Sequence, residues 1–208
     1  GLDLAAERGA RTGMQHVFGR AMKYDGGEYG EAILSKFPIV SVTNHALPTV
    51  PLETEDEARQ EVEPRAALAV QLKFPDTEEN FVFIGTHLDH LRDPVNRNVQ
   101  AEALAALVDQ YQNTPAILAG DLNSLPDSDA MKTIRGQWMD AWPANREAGT
   151  NSRRNRRIDY VLYTPSSGWK VTRTYRGTDI KTGDKEWQDL LTLASDHLPV
   201  MAEMEIVD

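Results

Sequence analysis

The sequence predicts an α/β layered sandwich rather than a doubly wound parallel sheet, and three observations predict it. Short apolar runs bounded by turn residues recur along the chain and outnumber the segments with helical spacing. Consecutive runs are often separated by too little chain for a helical crossover, which favours antiparallel pairing with occasional helices covering the sheets. The apolar runs fall far short of the roughly 20 residues that a membrane-spanning helix requires, so the apolar residues are available for a packed core.

In chain order, strands are expected at residues 32–34, 66–72, 81–85, 116–119, 158–163 and 199–206. Between the third and fourth, Val95, Val99, Ala103, Leu107 and Tyr111 share one helical face, with Asp93 as cap and Pro94 at the first helical position. A second, short helix is expected after Pro126, with Met131 and Ile134 facing in and Trp138 and Trp142 packed in the core. Residues 51–64 are acidic and poor in apolar side chains, and read as an exposed loop.

The 208 residues, 40% of them apolar and without repeats or linkers, are enough for one sizeable core, and a single domain is expected over 1–208. The absence of cysteine excludes disulfides, zinc thiolate sites and cysteine nucleophiles, and leaves the compartment open. Residues 1–11 mix charge with alanine and lack the basic start and apolar run of a signal peptide. Thirty-two acidic against 22 basic residues give a formal charge of −10, which argues against strong sequence-independent binding of nucleic acid. A phosphate-bearing substrate would need local positive charge, from metal ions held by carboxylates or from Arg153, Arg154, Arg156 and Arg157.

Ionisable residues recur at the ends of the apolar runs. The run at 81–85 delivers His87; taken alone, such a histidine is usually a structural hydrogen-bonding group. The run at 116–119 ends in Asp121 and Asn123, alternate positions that share a face, although an Asx turn would look the same. Asp196 and His197 stand just before the last run, where a turn is the bland alternative. Asp159 interrupts a strongly apolar strand, which costs stability unless it is paired, so a partner such as His197 is expected.

Together and in this order, Gly85-Thr86-His87-Leu88, Gly120-Asp121-Leu122-Asn123, Arg157-Ile158-Asp159-Tyr160 and Ser195-Asp196-His197-Leu198-Pro199 resemble the endonuclease/exonuclease/phosphatase superfamily. Residues 29–39 look like its early strand, and Pro64-Arg65-Ala66-Ala67-Leu68 like the strand whose arginine approaches the phosphate. The resemblance implies a four-layered α/β/β/α sandwich of the deoxyribonuclease I-like type and hydrolysis of a phosphodiester or phosphomonoester with Mg²⁺ or Mn²⁺. By the same resemblance, His87, Asp121, Asn123, Asp159 and His197 are catalytic. Arg65, Asn123 and His87 contact substrate, and Asp196 and Asp121 ligate metal.

The family pattern opens with a strand ending in asparagine and another ending in Gln-Glu, whose glutamate is a principal metal ligand. That glutamate is expected upstream of residue 1, and the domain N-terminally incomplete. Glu7 has no strand before it and is not assigned the role. Small or lipid-derived phosphoesters are favoured over nucleic acid by the charge, and a non-catalytic binding module with the same fold is the alternative.

Overall fold

A computed structural model describes residues 2–52, 62–111, 114–143, 149–151, 153–165, 168–180 and 185–207. Most of the acidic stretch expected as an exposed loop, residues 53–61, lies outside the described residues. The elements follow in order: α1 (Leu4–Thr12), β1 (Gln15–Tyr24), β2 (Gly27–Ser35), β3 (Ile39–Ala46), β4 (Ala66–Lys73), β5 (Asn80–His87), α2 (Val95–Gln110), β6 (Ala116–Asp121), α3 (Asp129–Arg135), β7 (Met139–Asp140), β8 (Asp159–Tyr163), β9 (Trp169–Arg176), a 3₁₀ turn (Gly177–Asp179), α4 (Lys185–Ala194) and β10 (Val200–Ile206).

A six-stranded sheet in the order β3-β4-β5-β6-β8-β7 forms the centre. Its one parallel pair, β5 with β6, is the pair joined through α2, as a crossover of that length requires. One face is covered by α2 and α3, where Ile84, Leu104, Leu118, Met131, Ile134 and Leu162 are fully buried. The other face is covered by two antiparallel strand pairs, the β1-β2 hairpin and β9 with β10, which are not hydrogen-bonded to each other among the described residues. Val17 and Ile33 of the first and Trp169 of the second pack on the apolar row Leu68, Val70, Leu72 and Phe81. Helix α1 lies against β1 and β2, outside the sheet layers. Among the described residues no helix is long and apolar enough to cross a membrane.

Local chemistry explains the boundaries. Asp3 caps α1 by accepting the Ala6 N–H (2.9 Å), and Gly13 ends it in the left-handed region. The β1-β2 turn is Asp25-Gly26, both at positive φ (44° and 74°), the geometry that matches the right-handed twist of a hairpin.

Helix α2 departs from the face expected for it. Its buried residues are Asn96, Gln100, Ala101, Leu104, Ala105 and Leu107, whereas Val95, Val99 and Ala103 are only half-buried. Two inward amides rotate the helix: Gln100 Oε1 accepts the buried Asp89 N–H (2.9 Å). Asn96 accepts from Val50 N (2.8 Å) and donates to Val50 O (3.1 Å). Satisfying those otherwise orphaned backbone groups outweighs burying three small apolar side chains. Pro94 is the N-cap rather than the first helical residue, and Asp93 accepts the Val95 N–H (2.9 Å).

Candidate active site

The strand register assembles the site. His87 at the end of β5 lies opposite Asp121 at the end of β6, and Asp121 lies opposite Asp159 at the start of β8. Paired residues of neighbouring strands project to the same face, so three ionisable side chains form one row across three strands. The apolar segments before them are pinned in the core by Ile84, Leu118 and Leu162.

Asp121 is held by a compact turn. Its Oδ1 accepts the N–H of Asn123 (2.8 Å), and Asn123 sits at φ 46°, a conformation that asparagine tolerates better than most residues. Gly120 before it has φ 155°, and a Cβ there would lie 1.8 Å from the Thr86 carbonyl oxygen. Only glycine lets β6 approach β5 this closely at the row.

Asn123 Nδ2 donates to Leu88 O (3.0 Å), which fixes the orientation of the amide, and to His87 Nε2 (3.1 Å). The imidazole proton is thereby assigned to Nδ1, which faces the Tyr29 hydroxyl at 3.2 Å. Burial, followed by the charges of Arg65, His90 and His197, pulls the His87 pKa down to about 4, so the ring is neutral at pH 7. Both ring nitrogens are therefore occupied, and a direct contact of His87 with substrate would require it to exchange Asn123 or Tyr29.

His197 supplies the imidazole that an aspartate in an apolar strand requires: its Nδ1 donates to both oxygens of Asp159, at 3.0 Å each. Two loops are tied together to bring it there. Leu198 N–H donates to Thr150 O (2.7 Å), while Thr150 Oγ1 accepts from Ile158 N and Asp159 N (3.1 Å each). Burial lowers the His197 pKa, but the hydrogen bond and charge of Asp159, with help from Asp121 and Asp196, outweigh it and leave a net rise. Its Nε2 points towards Asp121 Oδ2, 3.8 Å away. Burial raises the Asp121 pKa to about 6, opposed by the Asn123 N–H and reinforced by the charge of Asp159.

Ligand atoms of Asp121, Asp159 and His197 lie within 4.8 Å of one another, a grouping that could hold a metal ion. Two carboxylates suit a hard divalent cation, and Asp121 Oδ2 is the carboxylate oxygen not taken up by a hydrogen bond. Asp196 stands outside this grouping, part-exposed, with Asn151 Nδ2 at 3.5 Å and Arg153 Nη1 at 3.9 Å.

Arg65 is 3% exposed. Its Nη2 donates to Glu63 Oε2 (2.6 Å) and lies 3.2 Å from His90 Nδ1, while Nε and Nη1 are buried without a hydrogen-bond partner among the described residues. The arginine run divides: Arg153, Arg154 and Arg156 line a recess with Asn123 and His197. Arg157 turns away, pairs with Asp140 (2.6 Å) and covers the Tyr160 ring.

Sequence reasoning missed Tyr29 and Glu31. Both lie on β2, two residues apart and on the face of Ile33, and Glu31 lies over Gly85, where a Cβ would meet its side chain at 4.0 Å. Burial raises the Glu31 pKa to about 7, against the opposing charge of Arg65 and with Asp121 adding to the rise. The signal was an ionisable residue on the inward face of an alternating strand.

The sandwich and the strand-end row of histidines and carboxylates define a class, and the comparisons agree with it. The chain belongs to the endonuclease/exonuclease/phosphatase family, whose model matches residues 2–197. A conserved protein of unknown function from Enterococcus faecalis is 22% identical, with a TM-score of 0.73, over 98% of this chain and 81% of that one. The catalytic domain of human Nocturnin, solved with a sulfate anion, is 20% identical with a TM-score of 0.73, over 99% of this chain and 77% of that one. A mannosyl-6-phosphatase from Bacteroides thetaiotaomicron is 25% identical with a TM-score of 0.66, over 97% of this chain and 80% of that one. No curated protein matches by sequence. Two phosphatases are among the structural neighbours, and the class that the family defines is that of phosphoester hydrolases.

Proposed function

We propose that the protein is a divalent-metal-dependent hydrolase of small phosphoesters, with Mg²⁺ or Mn²⁺ as cofactor. The observation that carries this reading is the convergence of Asp121, Asn123, Asp159 and His197 at one end of the sheet, with the buried guanidinium of Arg65 beside them.

Asp121 Oδ2 accepts a proton from the attacking water: a carboxylate raised to about 6 is ionised at neutral pH yet basic enough to share that proton. Asn123 keeps its side-chain oxygen free to accept from the water, because its NH₂ group is committed to Leu88 O and His87. His87 is a positioning residue, holding that amide from behind. His197, with Asp159 on Nδ1, carries a proton on Nε2 that it donates to the phosphoryl group or the leaving oxygen. When bound at the carboxylates of this grouping, with Asp121 foremost, the cation would polarise the phosphoryl oxygen and neutralise developing charge, leaving Nε2 of His197 for the proton. Arg65 offers two nitrogens, Nε and Nη1, unpartnered among the described residues, for a phosphate oxygen, a pairing stronger than a neutral hydrogen bond.

The likeness to a sugar phosphatase and the net charge of −10 both support a small ester over a polynucleotide. The test is hydrolysis of bis-p-nitrophenyl phosphate and of mannose 6-phosphate by the purified protein with Mg²⁺, Mn²⁺ or EDTA. Turnover with either cation that stops in EDTA is expected; turnover undiminished in EDTA, or none with any ester, contradicts the proposal.

A further inference from the structure

The recess lined by Arg153, Arg154 and Arg156 has a second basic wall. Arg92, from the segment between β5 and α2, and Arg97, from the first turn of α2, enter it, giving five guanidinium groups around a space of about 630 Å³. Asn123 and His197 line it as well, so the recess opens directly onto the catalytic row. In a chain with a formal charge of −10, this concentration of positive charge runs against the overall field.

Acidic neighbours answer only part of this charge: Asp89 and Asp93 act on Arg97, and Asp196 lies near Arg153. Asp196 is the one carboxylate among the described residues that line the recess, and Arg153 lies 3.9 Å from it. Arg92, Arg154 and Arg156 make no ion pair among the described residues, and Arg154 and Arg156 are solvent-exposed. Arg97 is fixed in place by donating to the backbone carbonyls of Asp89 (3.2 Å) and Leu91. The second, independent observation is Arg65, whose charge acts on His87 and Asp121: its Nε and Nη1 are buried with no hydrogen-bond partner among the described residues, a cost that a bound anion would relieve. Positive charge is thus available at two places, one at the reacting centre and one beside it.

We propose that the substrate is a small molecule bearing two phosphate groups, one placed at the catalytic row for hydrolysis and the other held in the arginine recess. This rests on the phosphoester hydrolase reading above and adds the substrate class to it. The recess has the volume of a small-ligand site, and its arginines match phosphate with paired N–H donors. The negative surface elsewhere repels the rest of a long polyanion, which favours a compact bisphosphate over a nucleic acid.

The test measures binding by calorimetry with Mg²⁺ present, using the Asp121→Asn variant to suppress turnover and adenosine 3′,5′-bisphosphate, adenosine 5′-monophosphate and a 20-nucleotide single strand as probes. A parallel assay follows phosphate release by the protein with Asp121 intact. The bisphosphate is expected to bind at least ~10-fold more tightly than the monophosphate, in keeping with charge-assisted pairing. Adding Arg154→Glu and Arg156→Glu together should abolish most of that preference. Both positions are exposed, and a melting temperature shows that the variant is folded; Arg92→Glu gives a second reading from the opposite wall.

Equal affinity for the two nucleotides, or an equal loss for both in the variants, overturns the proposal. Tighter binding of the oligonucleotide with a steep salt dependence overturns it in favour of a polynucleotide. A bisphosphate preference that collapses in the variants, without phosphate release by the parent protein, supports the recess while refuting the hydrolase reading.

Discussion

Asp159 is the residue whose environment makes its role most explicit. Expected to interrupt an apolar strand, it instead opens β8, where both its oxygens accept from His197 Nδ1. Two opposing effects then act on the imidazole, burial downwards and Asp159 upwards, and the second wins. Replacing Asp159 by Asn removes the largest of the raising charges and leaves burial, so the His197 pKa is expected to fall from its raised value; an NMR titration of the ring proton in metal-free protein checks it, and an unchanged value contradicts the pairing. In the parent protein the folded pKa is the raised one. The pair's contribution to stability is therefore complete below pH 6.5 and lost as pH rises through the folded value.

Glu31 shows the reverse cost at the same scale. Its folded pKa, about 7, exceeds the ordinary 4.5, so the folded state holds a proton that the unfolded chain has released between those values. Stability is highest below pH 4.5 and declines to pH 7 on this account alone. Glu31→Gln should therefore raise the urea midpoint at pH 8 in EDTA and leave it nearly unchanged at pH 4.5; a loss at pH 8 would show that the ionised carboxylate is stabilising.

At the scale of elements, legibility followed periodicity and failed where polar contacts set the geometry. The runs ending at His87 and Asp121 and the one beginning at Asp159 could be read because each is a largely buried strand with an ionisable residue at the edge of its apolar pattern. Strands β1 and β9 were not read, because their exposed faces carry long polar and charged side chains that blur the alternation, and β3 was not, because it is largely exposed and mixes small polar residues with Val40 and Val42. The buried face of α2 was misread because two of its inward residues are amides whose partners, Asp89 and Val50, are distant in sequence. Gln100→Ala leaves the buried Asp89 N–H without an acceptor and should cost about 1–3 kcal/mol in denaturant unfolding; a change under about 0.5 kcal/mol would mean that the amide does not hold the helix. Gly120→Ala would force a Cβ into the Thr86 carbonyl and should cost at least about 2 kcal/mol, with a larger loss of activity than its stability explains, because β6 carries Asp121.

Across the whole molecule, the six-stranded sheet converts register into chemistry: residues far apart in sequence meet because strand ends coincide. Net charge hid as much as it disclosed. A value of −10 describes the surface average and gives no hint that five arginines from two separate segments gather beside the row. The run containing Arg153, Arg154 and Arg156 could be seen in the sequence, but its meeting with Arg92 and Arg97 is a product of the fold. Which arginine of the run serves the core instead, Arg157, depended on the placement of Asp140 and Tyr160.

The central claim is that the row at the sheet end hydrolyses phosphoesters, with Asp121 activating the water. The measurement that tests it most directly is kcat for bis-p-nitrophenyl phosphate with Mg²⁺ in the parent protein and in a folded Asp121→Asn variant. A fall of at least ~100-fold in kcat is predicted from the loss of a general base, and a rate within about twofold of the parent would contradict the assignment.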